Sequence, residues 1–177
     1  MKVIAIAGGS ASGKSTLASA LQAVIPSCRV LAMDAYYKPE SDLPLVTVQS
    51  GKTYRDYNCP DAFELTKLAE DVRGCRANHT CDVLLIEGLL TLWDKELRDL
   101  ADVRVFIDCP ADIRIVRRLR RNLSWGLSFD EIADVYLDLV RKRHAEYVAP
   151  SAAYADLVLD SSHGVEQHVQ TILSYLS

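Results

Sequence analysis

The sequence lacks any apolar run near the ~20 residues of a membrane-spanning helix. Its N-terminal apolar stretch is too short for a secretory leader and has no small-residue cleavage site, so a cytoplasmic protein is expected. The five cysteines (Cys28, Cys59, Cys75, Cys81 and Cys109) are odd in number and form no C-x-x-C pair, which argues against both a disulfide frame and a zinc site. The four histidines, His79, His144, His163 and His168, show no ligand spacing. There is no excess of positive charge; a net charge of −4 argues against a general nucleic-acid binder. Internal repeats and low-complexity tracts are also missing. What remains is a chain of 177 residues, 49% hydrophobic, which is enough for one sizeable core and too apolar for disorder.

The most informative stretch is Gly8-Gly-Ser-Ala-Ser-Gly-Lys-Ser15, which fits G-x-x-x-x-G-K-[ST], the phosphate-binding P-loop. Lys2 to Ala7 before it reads as a buried strand. Leu17, Leu21, Val24 and Ile25 after it fall at helical spacing. Gly8 and Gly13 let the backbone curl so that its N–H groups point inward, and the helix N-terminus adds partial positive charge. Residues Gly8, Gly9, Ser10, Ala11, Ser12, Gly13, Lys14, Ser15 and Thr16 are therefore expected to hold a nucleoside triphosphate. In this motif the lysine, here Lys14, reaches the β- and γ-phosphates, and the Ser15 hydroxyl ligates Mg²⁺.

Further strands are expected at Arg29–Met33, Asp82–Ile86, Val103–Asp108 and Asp156–Asp160. Between them, helices are expected from an Asp61/Glu64 N-cap to a stop near Gly74, over Lys95–Leu100, after a Ser128/Glu131 capping box, and over the last dozen residues. The alternation predicts one α/β domain over residues 1–177, a mainly parallel five-stranded sheet between two helical layers. Ligands bind at the carboxyl ends of strands in such sheets, where Asp34, Glu87 and Asp108 lie. Asp34 is a candidate base for an acceptor hydroxyl, and Glu87 a partner of Ser15 for Mg²⁺. Asp108 reads as structural. Residues 35–60 form a long acceptor-side insertion rich in breakers. Residues 111–128 carry Arg114, Arg117, Arg118, Arg120 and Arg121 with no acid among the five. On a helix, Arg114, Arg117, Arg118 and Arg121 share a face, and a triphosphate is the anion that such a face suits.

There is no N-K-x-D motif and no transporter signature, which leaves a small-molecule kinase. The chain resembles the uridine kinase and nicotinamide riboside kinase group of the phosphoribulokinase-like P-loop kinases. The P-loop carries that resemblance together with Asp34-Ala-Tyr-Tyr-Lys-Pro39, Pro60-Asp-Ala-Phe63, Ile86-Glu-Gly-Leu89, Asp112-Ile-Arg-Ile-Val-Arg-Arg118, Tyr147-Val-Ala-Pro-Ser151 and Tyr154-Ala-Asp156. It implies a nucleotide-kinase-like fold with an arginine lid, ATP as donor, and Mg²⁺. It implies Asp34 as general base, Lys14 on phosphate, Ser15 and Glu87 at the metal, Arg117 on ATP from the lid, and Arg114 on the acceptor. Tyr36, Tyr37 and Lys38 fall in the acceptor-side loop.

The chain departs from uridine kinases in lacking their base-recognising hairpin, since only Cys75 to Thr80 joins the flanking elements. It has Asn58 where they hold the ribose hydroxyls with an aspartate, and Asp56 lies close by as a substitute. After the arginines, Asn122 to Gly126 lacks their usual charged residues. Lys38-Pro-Glu-Ser41 is similar to nicotinamide riboside kinases, which also lack the hairpin. The expected activity is phosphorylation of a small alcohol, foremost the 5′-hydroxyl of a nucleoside. Nicotinamide riboside, a sugar or a vitamin are alternative acceptors. A non-catalytic nucleotide-binding regulator is the alternative of another class, against which Asp34 and the lid arginines weigh. No nucleic-acid or membrane partner is expected, and a homo-oligomer is compatible with the sequence.

Overall fold

The computed structural model describes residues 1–176. Five parallel strands form the sheet in the order β2 (Cys28–Ala32), β5 (Val83–Gly88), β1 (Lys2–Gly8), β6 (Val103–Asp108), β7 (Leu157–Asp160). Strand β1 lies at the centre, and Val3 to Ala7 are fully buried because layers cover both faces. Side chains alternate across a strand. Val3, Ala5 and Ala7 therefore enter one core with α2 (Leu65–Ala77) and α3 (Lys95–Leu100), while Ile4 and Ile6 enter the other with α1 (Lys14–Val24) and α8 (Val165–Leu176). Each fully buried Leu or Ile contributes roughly 1.5–3 kcal/mol by leaving water.

The insertion is structured. It opens with a 3₁₀ turn, Met33–Tyr36, and contains an antiparallel hairpin of β3 (Leu45–Thr47) and β4 (Thr53–Arg55). The second strand thus ends at Ala32, one residue before the sequence expectation, and Met33 packs below the sheet end. Asp61 is not the cap of α2. Pro60–Ala62 form a separate 3₁₀ turn, and Phe63 is extended in a bridge with Tyr37, so the helix starts only after Glu64. Nor does Gly74 stop that helix, which continues to Ala77, leaving residues 78–82 as its whole link to β5.

Helix α4 (Ala111–Ser124) carries the arginines, and the Ser128/Glu131 capping box opens α5 (Phe129–Val135). The expected single long helix follows, but as a mixed rod. π-Helical turns at Tyr136–Val140 and His144–Val148 flank α6 (Arg141–Arg143), and α7 (Ala149–Ser151) ends it. Such turns interrupt the 3.6-residue repeat and are frequent at functional sites.

Candidate active site

A cleft of about 830 Å³ opens above the carboxyl ends of the central strands. Its floor is the P-loop between β1 and α1. Gly13 has φ 106°, a left-handed conformation that costs glycine little, and Ala11 shares it at φ 64°. A Cβ at Gly8 would lie 2.7 Å from Ser12 Oγ and 2.8 Å from the Ile107 carbonyl oxygen, so the loop closes onto β6 only with glycine there. No side chain caps the N-terminus of α1, and Ser12 Oγ is buried with no protein partner. These are donors built for anionic oxygens.

Lys14 is buried and folds back, its Nζ donating to the Gly9 carbonyl at 2.9 Å. Burial lowers its pKa to about 8, against the pull of Glu87 and Asp34, which favour the ammonium. Ser15 Oγ donates to Glu87 Oε1 at 3.0 Å. Burial pushes Glu87 up, while Lys14 and Ser15 draw it down. Among the described residues no cluster of three or more His, Cys, Asp or Glu side chains is arranged to hold a metal. A hydroxyl and one carboxylate, both hard oxygen donors, nevertheless fit Mg²⁺, which takes its remaining ligands from phosphates and water.

Pairing of β2 with β5 sets Ala32 opposite Glu87, and Asp34 follows two residues on. Gly88 makes this approach feasible: a Cβ there would lie 2.4 Å from that of Met33. Asp34 is exposed and lines the cleft, near enough to Lys14 and Glu87 to act on their protonation.

The lid lies over the P-loop. Arg118 Nη1 and Arg121 Nη2 donate to Ser10 Oγ at 3.1 and 3.4 Å, and Arg117 Nη1 reaches the Ser12 carbonyl at 3.5 Å. All three line the cleft, and Arg118 Nε is buried without a protein partner. Burial and the adjacent Arg121 lower the Arg118 pKa, so an arriving anion relieves the strain between the two charges. Arg114 is elsewhere. It is buried under Gly9, its Nε donates to the Cys109 carbonyl at 2.9 Å, and it does not line the cleft.

On the acceptor side Tyr37 and Asn58 line the cleft, but Tyr36, Lys38 and Asp56 do not. Tyr36 donates to Asp71 at 2.7 Å, tying the turn to α2. Asp56 is fully buried and paired with Arg143. Tyr37 stacks on Phe63 with centroids 4.3 Å apart and meets Tyr57 edge-on at 5.5 Å. Sequence reasoning missed Arg55 and Tyr57, which also line this end. Their alternation with buried Asp56, beside Asn58, was the available signal. Trp125 and His163 line the opposite end, with the Arg121 guanidinium 5.0 Å from the Trp125 ring.

The sequence profile of the Phosphoribulokinase / Uridine kinase family matches residues 66–167. A uridine kinase of Bacillus subtilis is 32% identical over 192 residues, covering 94% of this chain and 88% of the relative. A uridine kinase of Lactococcus lactis is 31% identical, covering 89% of this chain and 86% of the relative. The structure of a sugar kinase from Janibacter superposes with a TM-score of 0.62 at 21% identity, covering 99% of this chain and 94% of that one, a likeness of fold. No helix among the described residues is long and apolar enough to cross a membrane.

Proposed function

This chain belongs to the Phosphoribulokinase / Uridine kinase family and is an ATP-dependent small-molecule kinase; we propose that its acceptor is the 5′-hydroxyl of a nucleoside. The observation that carries the reading is one cleft with phosphate-binding groups at one end, Asp34 between, and aromatic rings beside Asn58 at the other. The names of the relatives support a nucleoside.

Catalysis is positioning and electrostatics. The P-loop N–H groups and Lys14 hold the β- and γ-phosphates, and Arg117, Arg118 and Arg121 cover them from the lid. Asp34 orients the acceptor hydroxyl and takes its proton as the new O–P bond forms. The bond from the γ-phosphorus to the bridging oxygen breaks, and ADP leaves with that electron pair. Ser15 and Glu87 would hold Mg²⁺, which supplies neutralisation of the phosphate charge. Tyr37 and Tyr57 offer ring faces to the base, and Asn58 offers its amide to the ribose hydroxyls. The lid excludes water and so suppresses hydrolysis of ATP.

The short link of residues 78–82 favours a second acceptor, nicotinamide riboside, whose kinases lack the base-recognising hairpin. A screen of nucleosides, nicotinamide riboside and sugars with ATP and Mg²⁺ decides between them. The nucleoside proposal expects its highest kcat/KM on a nucleoside. A sugar turned over faster than every nucleoside would overturn it.

A further inference from the structure

Asp56 is the one acceptor-loop carboxylate with no exposure, and each of its polar atoms is engaged within the protein. Oδ2 accepts from Arg143 Nε at 2.6 Å, and Oδ1 accepts from the Asn58 N–H at 2.9 Å. Its own N–H donates to the Pro44 carbonyl at 2.8 Å, and its carbonyl meets the Cys59 thiol at 3.5 Å. With no exposed surface and no place in the cleft lining, it does not reach a substrate. What it does instead is close a tight side-chain turn that delivers Tyr57 and Asn58 into the cleft.

Arg143 comes from the rod that follows the lid, between its two π-helical turns. Its Nη1 donates to Glu146 at 2.6 Å, and its guanidinium lies 5.7 Å from the Tyr147 ring centroid. The guanidinium is thus fixed before it meets Asp56. More contacts join the same rod to the same loop: Tyr54 and Ser50 donate to Asp138, and Lys52 pairs with Asp134. Lys52 and Asp134 are exposed and contribute little, whereas breaking a buried ion pair such as Asp56–Arg143 by removing one partner is strongly destabilising.

We infer that the Asp56–Arg143 ion pair is a positioning device for acceptor binding: it locks the turn that presents Tyr57 and Asn58, and neither charge touches substrate. The inference rests on the reading of Tyr57 and Asn58 as acceptor contacts. Removing Arg143 leaves a buried carboxylate without its partner, and relief of that cost by movement toward water releases the turn.

The test uses Asp56→Asn, Arg143→Gln, Arg143→Lys, Asn58→Ala and the double variant Asp56→Asn/Asn58→Ala. The acceptor is whichever of uridine, cytidine or nicotinamide riboside the unaltered chain turns over fastest. Asp56→Asn and Arg143→Gln should each raise acceptor KM on the order of tenfold, since small misplacements of a bound reactant are costly. KM for ATP should change by less than about twofold, because ATP binds at the other end of the cleft. Arg143→Lys should recover part of the loss. The double variant should bind acceptor no worse than Asn58→Ala alone, as expected if Asp56 acts through Asn58. Hydrogen exchange gives a readout independent of the acceptor: the Asn58 amide should lose protection in Arg143→Gln. Unchanged protection there, or equal rises in both KM values, overturns the inference. Turnover of none of the three, nor of any other nucleoside in the screen, instead defeats the nucleoside reading, and the exchange result still decides whether the pair holds the turn.

Discussion

The two ends of the cleft are built in different ways. The donor end is one contiguous turn, Gly8 to Ser15, closed by the arginines of a single helix. In the proposed reading its phosphate-binding groups are largely backbone N–H groups, whose placement follows from loop shape. The acceptor end is assembled from Asp34 at a strand end, a stacked Tyr37, and a turn held by an arginine 87 residues further along. Phosphate demands the same geometry in every such protein, whereas acceptors differ. One end is consequently set by local chain conformation and the other by side chains that meet only after folding.

The comparison breaks most sharply if the two ends are not separable. Asp34→Asn should lower kcat by about 10²–10⁴ for every accepted alcohol, the usual worth of a general base. Its affinity for ATP, measured by calorimetry, should stay within about twofold. Lys14→Met should lower kcat/KM by about 10²–10³, as for other single charge-stabilising donors, and should weaken ATP itself. An Asp34→Asn variant with wild-type kcat would remove the base from the reading. Weakened ATP binding in it would mean that the two ends are one site energetically.

Gly88 tests what holds the ends together. A Cβ there would meet Met33, whose neighbour is Asp34, and the residue on its other side is Glu87. Gly88→Val should cost about 1–3 kcal/mol of stability by overpacking, read from urea midpoints. It should also lower kcat more than it weakens ATP, because the displaced turn carries the base. Loss of ATP binding with kcat intact would show that β5, not the Met33 turn, gives way.

The same division governed what the sequence revealed. The P-loop, the sheet, the capping box and the arginine helix follow local rules of spacing and capping, and all were legible. Legibility failed where a tertiary contact outranked a local signal. The Asp61/Glu64 pair has the spacing of a cap, but the bridge of Phe63 to Tyr37 keeps that residue extended and delays the helix. Arg114 shares a helical face with Arg117 and Arg118, yet the missing side chain of Gly9 leaves room that draws it under the loop. Asn58 has the family's position and Asp56, close by, has the family's carboxylate, so both stood as candidates. Arg143, remote in sequence, separates them by taking up Asp56.

Smaller effects are expected on varying pH. Burial holds Lys14 at about 8, well under the usual lysine value. Bound triphosphate favours the ammonium, so above about pH 8 ATP binding must take up a proton, and affinity should fall by up to about tenfold per unit as pH rises. Calorimetry in buffers of different ionisation heat should find uptake near one proton at about pH 9 and near none at about pH 7. Lys14→Met should abolish it. Uptake that persists in that variant would assign the proton elsewhere.

The smallest expected effect lies at the seam between the ends. His144 follows Arg143, its Nδ1 is buried with no protein partner, and burial with Arg114 and Lys14 nearby lowers its pKa from 6.5 to about 4. The unfolded chain therefore binds a proton between these values where the native one does not. By linkage, this residue's contribution to stability is complete above about pH 6.5 and declines as pH falls toward about 4. His144→Phe removes that difference while keeping a planar ring. The urea midpoint of the unaltered chain should accordingly drop more between about pH 7 and about pH 4.5 than that of the variant, since only the former has the imidazole to protonate. Parallel pH profiles would mean that His144 rotates out to water as it charges. The rod would then be free of the P-loop at that point, and the acceptor end would be tied to the donor end through the sheet and through the lid helix, which Tyr136 of the rod meets at the Ala111 carbonyl.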